Sequence, residues 1–255
     1  MNLQDDFKKR MLERPWGTQA FWERPAGGPT VVFMHGAACD SSDFVPVSEH
    51  LPGDFRLVLM DFRGHGASDT PEDAFTFQEL VDDLEALLDH LDVHNPVLVG
   101  HSLGGMVAMG FVSENEWRTG GIVLFEGWVR VDAAPGDWDS GSQFLPEEER
   151  RRVDDRRQET QSRLGPRKWL HLWRSVQKAD AEEFLKRPPA RIIAVWGDRG
   201  KAHPKYSELG FPPSMAAQHM WVEGQGHFMF LARPKVCAHP IIRLGRMARE
   251  QRAGQ

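Results

Sequence analysis

The sequence predicts an α/β fold with a mostly parallel central sheet, flanked by helices and interrupted by one helical insertion. Short β-rich runs alternate with helical patterns along the 255 residues, as in a series of βαβ units. Several of these runs are continuously apolar, namely VVFMH, LVLMD, VLVGH and IVLFE. Continuous apolar runs are typical of parallel strands that helices cover on both faces.

Seven strands are predicted, with the residue ranges 19–23, 30–35, 56–61, 96–101, 121–126, 191–196 and 218–223. A helix is predicted over 77–91, because leucines recur there at helical spacing and Thr76 with Glu79 fits a capping box. A second helix is predicted to begin at Ser102 and to run through Phe111.

Residues 127–188 interrupt this alternation. The segment contains Trp128, Trp138, Trp169 and Trp173, and a strongly charged helical stretch at 146–164. It is too long for a connecting loop, which indicates an inserted helical cap. The predicted division is therefore a core domain of residues 1–126 and 189–255, with a cap of residues 127–188.

Composition and charge indicate which partners, membrane segments and cofactors are not expected for this protein. The formal net charge is −6, and the basic residues around 150–157 alternate with acidic ones, so a solvated helix is favoured and nucleic acid is not an expected partner. No stretch approaches the ~18 apolar residues of a membrane span, and the charged N-terminus does not have the form of a signal peptide. Two distant cysteines, Cys39 and Cys237, favour free thiols and a cytoplasmic location. Neither metal-ligand spacing nor a Gly-rich phosphate loop is found, so no metal or cofactor is expected.

The most specific motif is G-x-S-x-G at residues 100–104, with Ser102 at its centre. It follows an apolar strand and precedes a helical pattern, which is the context that the motif requires. A serine on a sharp strand-to-helix turn presents its hydroxyl above the sheet, and Gly100 and Gly104 give the strained backbone room. The sequence thus predicts that Ser102 is a nucleophile.

Four further stretches occur in the order of the α/β-hydrolase family, which the chain resembles over nearly its whole length. They are HGAA at 35–38, DFRGHGAS at 61–68, the strand at 191–197, and GQGHF at 224–228. The family's first strand is poorly represented, which implies a short N-terminal edge of the sheet. The resemblance implies that His227 is the general base, since a serine hydroxyl is a weak nucleophile unless a base removes its proton. It also implies an oxyanion hole formed by the backbone N–H groups of Ala37 and Leu103.

Besides the serine and the histidine, the family uses an acidic residue that orients the histidine and completes a catalytic triad. At this third residue the sequence departs from the commoner family pattern. The usual aspartate position, after the penultimate strand, is Gly200, which cannot orient an imidazole. Glu126 ends the preceding strand, and some branches of the fold, including the zearalenone lactonases, carry their acid there. The order Ser102, Glu126, His227 also fits the family. Glu126 is the favoured acid, and Asp198 is the alternative. Asp61 is expected to brace its own loop.

The expected reaction is hydrolysis of a carboxylic ester or lactone through an acyl-enzyme. Cap and core aromatics imply an apolar or ring-bearing small-molecule substrate. The candidate pocket residues are Trp128, Trp138, Phe144, Trp169, Trp173 and Phe228. The same triad also fits cofactor-free perhydrolysis, acyl transfer or carbon–carbon bond hydrolysis, and a non-catalytic binding protein is the alternative outside enzymology. The sequence does not indicate an oligomeric state.

Overall fold

A computed structural model describes residues 6–115, 117–133, 141–187, 191–212 and 218–253. Within them, eight strands form one sheet, in the order β1-β2-β4-β3-β5-β6-β7-β8. The strands are β1 Lys8–Arg14, β2 Gly17–Arg24, β3 Thr30–Met34, β4 Arg56–Met60, β5 Val97–His101, β6 Gly121–Phe125, β7 Ile192–Gly197 and β8 His219–Val222. The six strands β4, β3, β5, β6, β7 and β8, in their order across the sheet, are all parallel to their neighbours. The pairs β1–β2 and β2–β4 are antiparallel. The predicted α/β class with a mostly parallel sheet is confirmed.

The expectation of a short N-terminal edge is wrong. Strand β1 has seven residues and pairs along its length with β2, from Lys8 opposite Glu23 to Arg14 opposite Gly17. Most of its side chains are exposed, because β1 is the outermost strand of a hairpin. An edge strand of this kind is rich in charge and lacks the apolar run that marks a buried strand.

Seven helices are described: α1 Val45–Ser48, α2 Phe77–His90, α3 Leu103–Glu114, α4 Glu147–Val176, α5 Glu182–Lys186, α6 Met229–Ala232 and α7 Pro234–Ala253. The predicted capping box at the start of α2 is present, with Thr76 and Glu79 bonded reciprocally. Successive strand residues face opposite sides of the sheet, so Val32 packs with α2 and α3, and Val31 packs with α7. The sheet therefore has an apolar core on each face. This packing on both faces holds the strands in place, and with them the residues that follow their carboxyl ends.

The segment between β6 and β7 is mostly helical. Helix α4 contains the charged stretch predicted at 146–164, and it changes direction at Gly165, whose φ of 69° and ψ of 165° are not helical. Pro166 begins the second part of the helix, where a missing N–H costs nothing. The predicted cap of residues 127–188 contains α4 and α5. Its far boundary and Trp138 lie outside the described residues.

Candidate active site

Ser102 lies on the sharp turn that joins β5 to α3. Its backbone has φ 50° and ψ −114°, a strained conformation for a residue with a side chain. The turn depends on glycine, since a Cβ at Gly104 would lie 2.1 Å from the carbonyl oxygen of Met34. A Cβ at Gly100 would lie 2.4 Å from the backbone of Gly104. This close packing holds the serine at the carboxyl end of the sheet, directly before a helix N-terminus.

Glu126 follows β6, the strand beside β5, and turns its carboxylate inward. It is 1% exposed, and its Oε2 lies 2.7 Å from Nδ1 of His227. Because a carboxylate only accepts hydrogen bonds, Nδ1 carries the proton and Nε2 has a free lone pair. The sequence-predicted acid and base are thus in direct contact, although 101 residues separate them.

Arg199 makes a bidentate ion pair with the same carboxylate. Its Nη1 lies 2.7 Å from Oε1 of Glu126, and its Nη2 lies 2.8 Å from Oε2. The backbone N–H of Gly197 also donates to Oε1, at 3.0 Å. Burial by itself raises the pKa of Glu126, but the hydrogen bonds from Arg199 and then His227 outweigh burial and lower the pKa to about 2. The carboxylate therefore stays charged throughout the neutral range.

Asp198, the alternative acid, does not reach His227. Its Oδ1 accepts hydrogen bonds from the backbone N–H groups of Gly200, at 2.8 Å, and Gly224, at 2.7 Å. These bonds join the loop after β7 to the loop after β8. Asp198 therefore fixes the loops around the histidine and is not its hydrogen-bond partner.

Ser102 and His227 line one small cavity of about 60 Å³ between the core and the predicted cap. Its other lining residues come from the loop after β3, the ends of β5 and β6, the loop carrying the histidine, and the cap: Gly36, Ala37, Cys39, His101, Trp128, Arg157, Trp173 and Phe228. The structure thus brings the predicted nucleophile and base to the same enclosed space.

Two free backbone N–H groups border this site. Leu103 is the first residue of α3, where an amide has no carbonyl partner within the helix. Ala37 lines the cavity from the loop after β3. Neither amide donates to an acceptor within the described part of the chain. These are the two amides for which an oxyanion hole is predicted.

The loops around the site are braced by buried polar residues, as expected for Asp61. Asp61 accepts from the backbone N–H groups of Ser41 and Ala67, each at 2.8 Å, and burial raises its pKa to about 6. Nε2 of His35 accepts from the backbone N–H of Phe62 at 3.0 Å. Nε2 of His101 donates to the backbone carbonyl of His227 at 3.1 Å, and burial keeps the pKa of His101 well below its usual value. His101 therefore helps to hold the loop that carries His227.

Three of the candidate pocket aromatics, Trp128, Trp173 and Phe228, line the cavity. Trp169 does not, because its ring packs edge-on against Trp173 and against the apolar core. Phe144 also lies outside the cavity: it is 36% exposed and covers Gly226. Sequence patterns identify apolar rings but do not distinguish those that face the site from those that pack behind it.

Polar contacts hold α4 onto the core. Arg156 donates to Asp40 at 2.9 Å and also binds Asp43, and both acids lie in the loop after β3. Further along the helix, Arg163 donates to the backbone carbonyl of Gly66 at 2.9 Å. These contacts fix the helix against two loops of the core.

Two arginines of the site were missed by the sequence analysis. Arg199 had no motif signal, since its partner lies 73 residues away in the chain. Arg157 belongs to a helix whose alternating charges were interpreted as a solvated face. Within the described ranges, no three His, Cys, Asp or Glu side chains are grouped as metal ligands. No helix there is both long enough and apolar enough to cross a membrane.

The chain belongs to the Alpha/beta hydrolase family, whose sequence profile matches residues 31–239. This is the family that the strand-turn-helix around Ser102 and the order of strands define.

Individual relatives match a smaller part of the chain than the family profile does. The 2-(acetamidomethylene)succinate hydrolase of Mesorhizobium japonicum is 39% identical over 77 residues, which are 30% of this chain and 28% of that protein. The cis-3-alkyl-4-alkyloxetan-2-one decarboxylase of Shewanella oneidensis is 34% identical over 122 residues, 46% of this chain and 38% of that protein. The matches therefore span about a third of these relatives. Among solved structures, an N-acyl homoserine lactonase superposes with a TM-score of 0.75, at 17% identity, over 94% of this chain and 96% of the lactonase. That likeness is one of fold.

Proposed function

We propose that the protein is a serine hydrolase that cleaves a carboxylic ester or a lactone of a small molecule through an acyl-enzyme. The observation that carries the proposal is the Glu126–His227 hydrogen bond of 2.7 Å beside the cavity that Ser102 also lines. A serine at a strained turn, an imidazole with a fixed tautomer and two free amides are the parts that acyl transfer needs.

In the first half of the proposed reaction, Nε2 of His227 removes the proton of Ser102 while the Ser102 Oγ attacks the carbonyl carbon. The amides of Leu103 and Ala37 donate to the oxyanion of the tetrahedral intermediate. Glu126 holds the imidazole in its tautomer and stabilises it when it is protonated. The imidazolium then gives its proton to the departing alkoxide, which leaves as an alcohol, or stays attached to the acyl group if the substrate is a lactone.

In the second half, His227 removes a proton from a water molecule, and the resulting nucleophile attacks the acyl-serine. Collapse of this second intermediate releases the carboxylic acid and restores the Ser102 hydroxyl. No step requires a metal or an organic cofactor.

The size of the cavity bears on the substrate. A cavity of about 60 Å³ is far below the ~300–1,000 Å³ of most small-molecule pockets. The cavity therefore holds only the reacting part of a larger substrate, and the rest of such a molecule extends beyond it. Trp128, Trp173 and Phe228 supply an apolar wall for such a molecule.

Hydrolysis of a panel of aryl esters, alkyl esters and lactones tests the proposal. We expect the wild type to hydrolyse at least one class and Ser102→Ala to lose about four orders of magnitude or more in kcat. Competing acceptors in the same assay, hydrogen peroxide and short alcohols, separate hydrolysis from perhydrolysis and acyl transfer. Equal rates for wild type and Ser102→Ala, or no turnover of the whole panel, would contradict the proposal.

A further inference from the structure

Arg157 is the one cationic side chain among the described residues that line the cavity with Ser102 and His227. It lies in α4, is half-buried, and forms no hydrogen bond or ion pair within the described residues. A guanidinium presents five N–H donors in a fixed plane, and holding it partly out of water without an acceptor is unfavourable.

The position of Arg157 is fixed by its neighbour in the chain. Arg156 binds Asp40 and Asp43 of the core loop, so the helical turn that carries both arginines is anchored. The two acids are engaged by Arg156 and not by Arg157. Anchoring this turn of the helix keeps Arg157 at the cavity wall, where its guanidinium is available to a bound molecule.

Arg157 carries the one permanent charge among the described residues that line the cavity. None of the described lining residues is acidic. Glu126, the carboxylate behind His227, is already paired with Arg199 through two hydrogen bonds. Asp40 and Asp43 lie behind the wall and are bound by Arg156, so a bound anion is the partner that Arg157 can take from within the cavity.

We propose that Arg157 binds a carboxylate of the substrate, so that the protein acts on a small ester or lactone that also carries a carboxylate group. The proposal rests on the hydrolase function proposed above and names its substrate class. A carboxylate matches the planar donor pair of a guanidinium, with two parallel hydrogen bonds. One arginine compensates the single charge of a carboxylate, whereas a phosphate monoester carries nearly two charges.

Matched substrates that differ only in this charge test the proposal. The first pair is methyl hydrogen succinate and methyl succinamate, and the second is 3-acetoxybenzoate and 3-acetoxybenzamide; they place the carboxylate on opposite sides of the ester bond. In at least one pair, we expect kcat/KM of the wild type to be about ten- to a hundredfold higher for the acid than for its amide. Arg157→Gln should remove this preference, and Arg157→Lys should restore part of it.

Arg150→Gln is the matched control, because Arg150 is exposed on the same helix and its side chain makes no hydrogen bond or ion pair within the described residues. It should keep the wild-type preference. A preference that is absent in the wild type, or that survives in Arg157→Gln, would overturn the proposal.

Binding separates this proposal from the hydrolase function itself. Calorimetric titration of Ser102→Ala with the acid and the amide of each pair requires no turnover, and the acid preference is again expected in at least one pair. We expect the acid to bind about ten- to a hundredfold more tightly, and Ser102→Ala/Arg157→Gln to lose this difference. Arg157-dependent binding without hydrolysis of any ester would refute the hydrolase function alone. Equal affinity for acid and amide in both pairs, or binding of none of the four compounds, would refute the role of Arg157.

Discussion

Replacing Glu126 by glutamine is expected to lower kcat by about four orders of magnitude. The glutamine amide has nearly the same shape, but it has no charge and can present an N–H to Nδ1 of His227. The imidazole then keeps its proton on Nε2, where it cannot act as a base toward Ser102. The effect is measured as kcat on the best ester of the panel, with a melting curve to verify that the variant is folded.

Asp198→Asn is the matched control, because it makes the same chemical change on the alternative acid. Asparagine keeps a carbonyl oxygen that can accept from Gly200 and Gly224, and Asp198 has no bond to His227. We expect its activity to stay within a few-fold of the wild type. If Asp198→Asn were inactive and Glu126→Gln active, the assignment of the triad acid would be wrong.

Arg199→Met is expected to lower the free energy of unfolding by about 3–5 kcal/mol, because it leaves the buried carboxylate of Glu126 without its cation. The side chains of Arg199 and Glu126 are only 3% and 1% exposed, so water cannot replace the lost partner. Denaturant unfolding measures the effect. The double variant Glu126→Gln/Arg199→Met has neither the buried carboxylate nor its cation, so no buried charge is left unpaired. Its loss of stability should therefore be smaller than the sum of the two single losses. Strictly additive losses would show that the two residues do not act as a pair.

The same arginine should also influence the base. Arg199 neutralises part of the charge that Glu126 presents to His227, so its removal lets the carboxylate stabilise the protonated imidazole more strongly. We therefore expect the acid limb of the kcat/KM–pH profile to move to higher pH in Arg199→Met, and less so in Arg199→Lys. A purely structural role would lower the amount of folded protein and leave the profile of the remaining activity in place.

The sequence predicted most of the sheet because buried parallel strands have a distinctive apolar composition. The seven predicted strands are present with ends shifted by at most a few residues. Strand β1 was missed because its exposed, charged side chains carry no such pattern. The turn at Ser102 was predictable from the G-x-S-x-G motif. Gly100 is required by the nearby backbone of Gly104, whereas Gly104 is required by a contact with Met34 of β3 that the local sequence does not show.

The site was predictable only as far as short motifs extend. Ser102 and His227 each stand in a recognisable local sequence, and Glu126 was found from its place at a strand end. Arg199 and Arg157 act through partners that the chain brings together only after folding. The charged character of α4 resembled that of any solvated helix, and which of its arginines faces the core depends on the path of the helix across the cavity.

The central claim, that Ser102 is the nucleophile and His227 activates it, is tested most directly by covalent labelling. The protein is incubated with a fluorophosphonate, and the adduct is located by intact mass and peptide mapping. One adduct on Ser102 is expected in the wild type, none at that position in Ser102→Ala, and a much slower reaction in His227→Ala. Absence of an adduct in the folded wild type, or labelling elsewhere at the same rate in Ser102→Ala, would contradict the account.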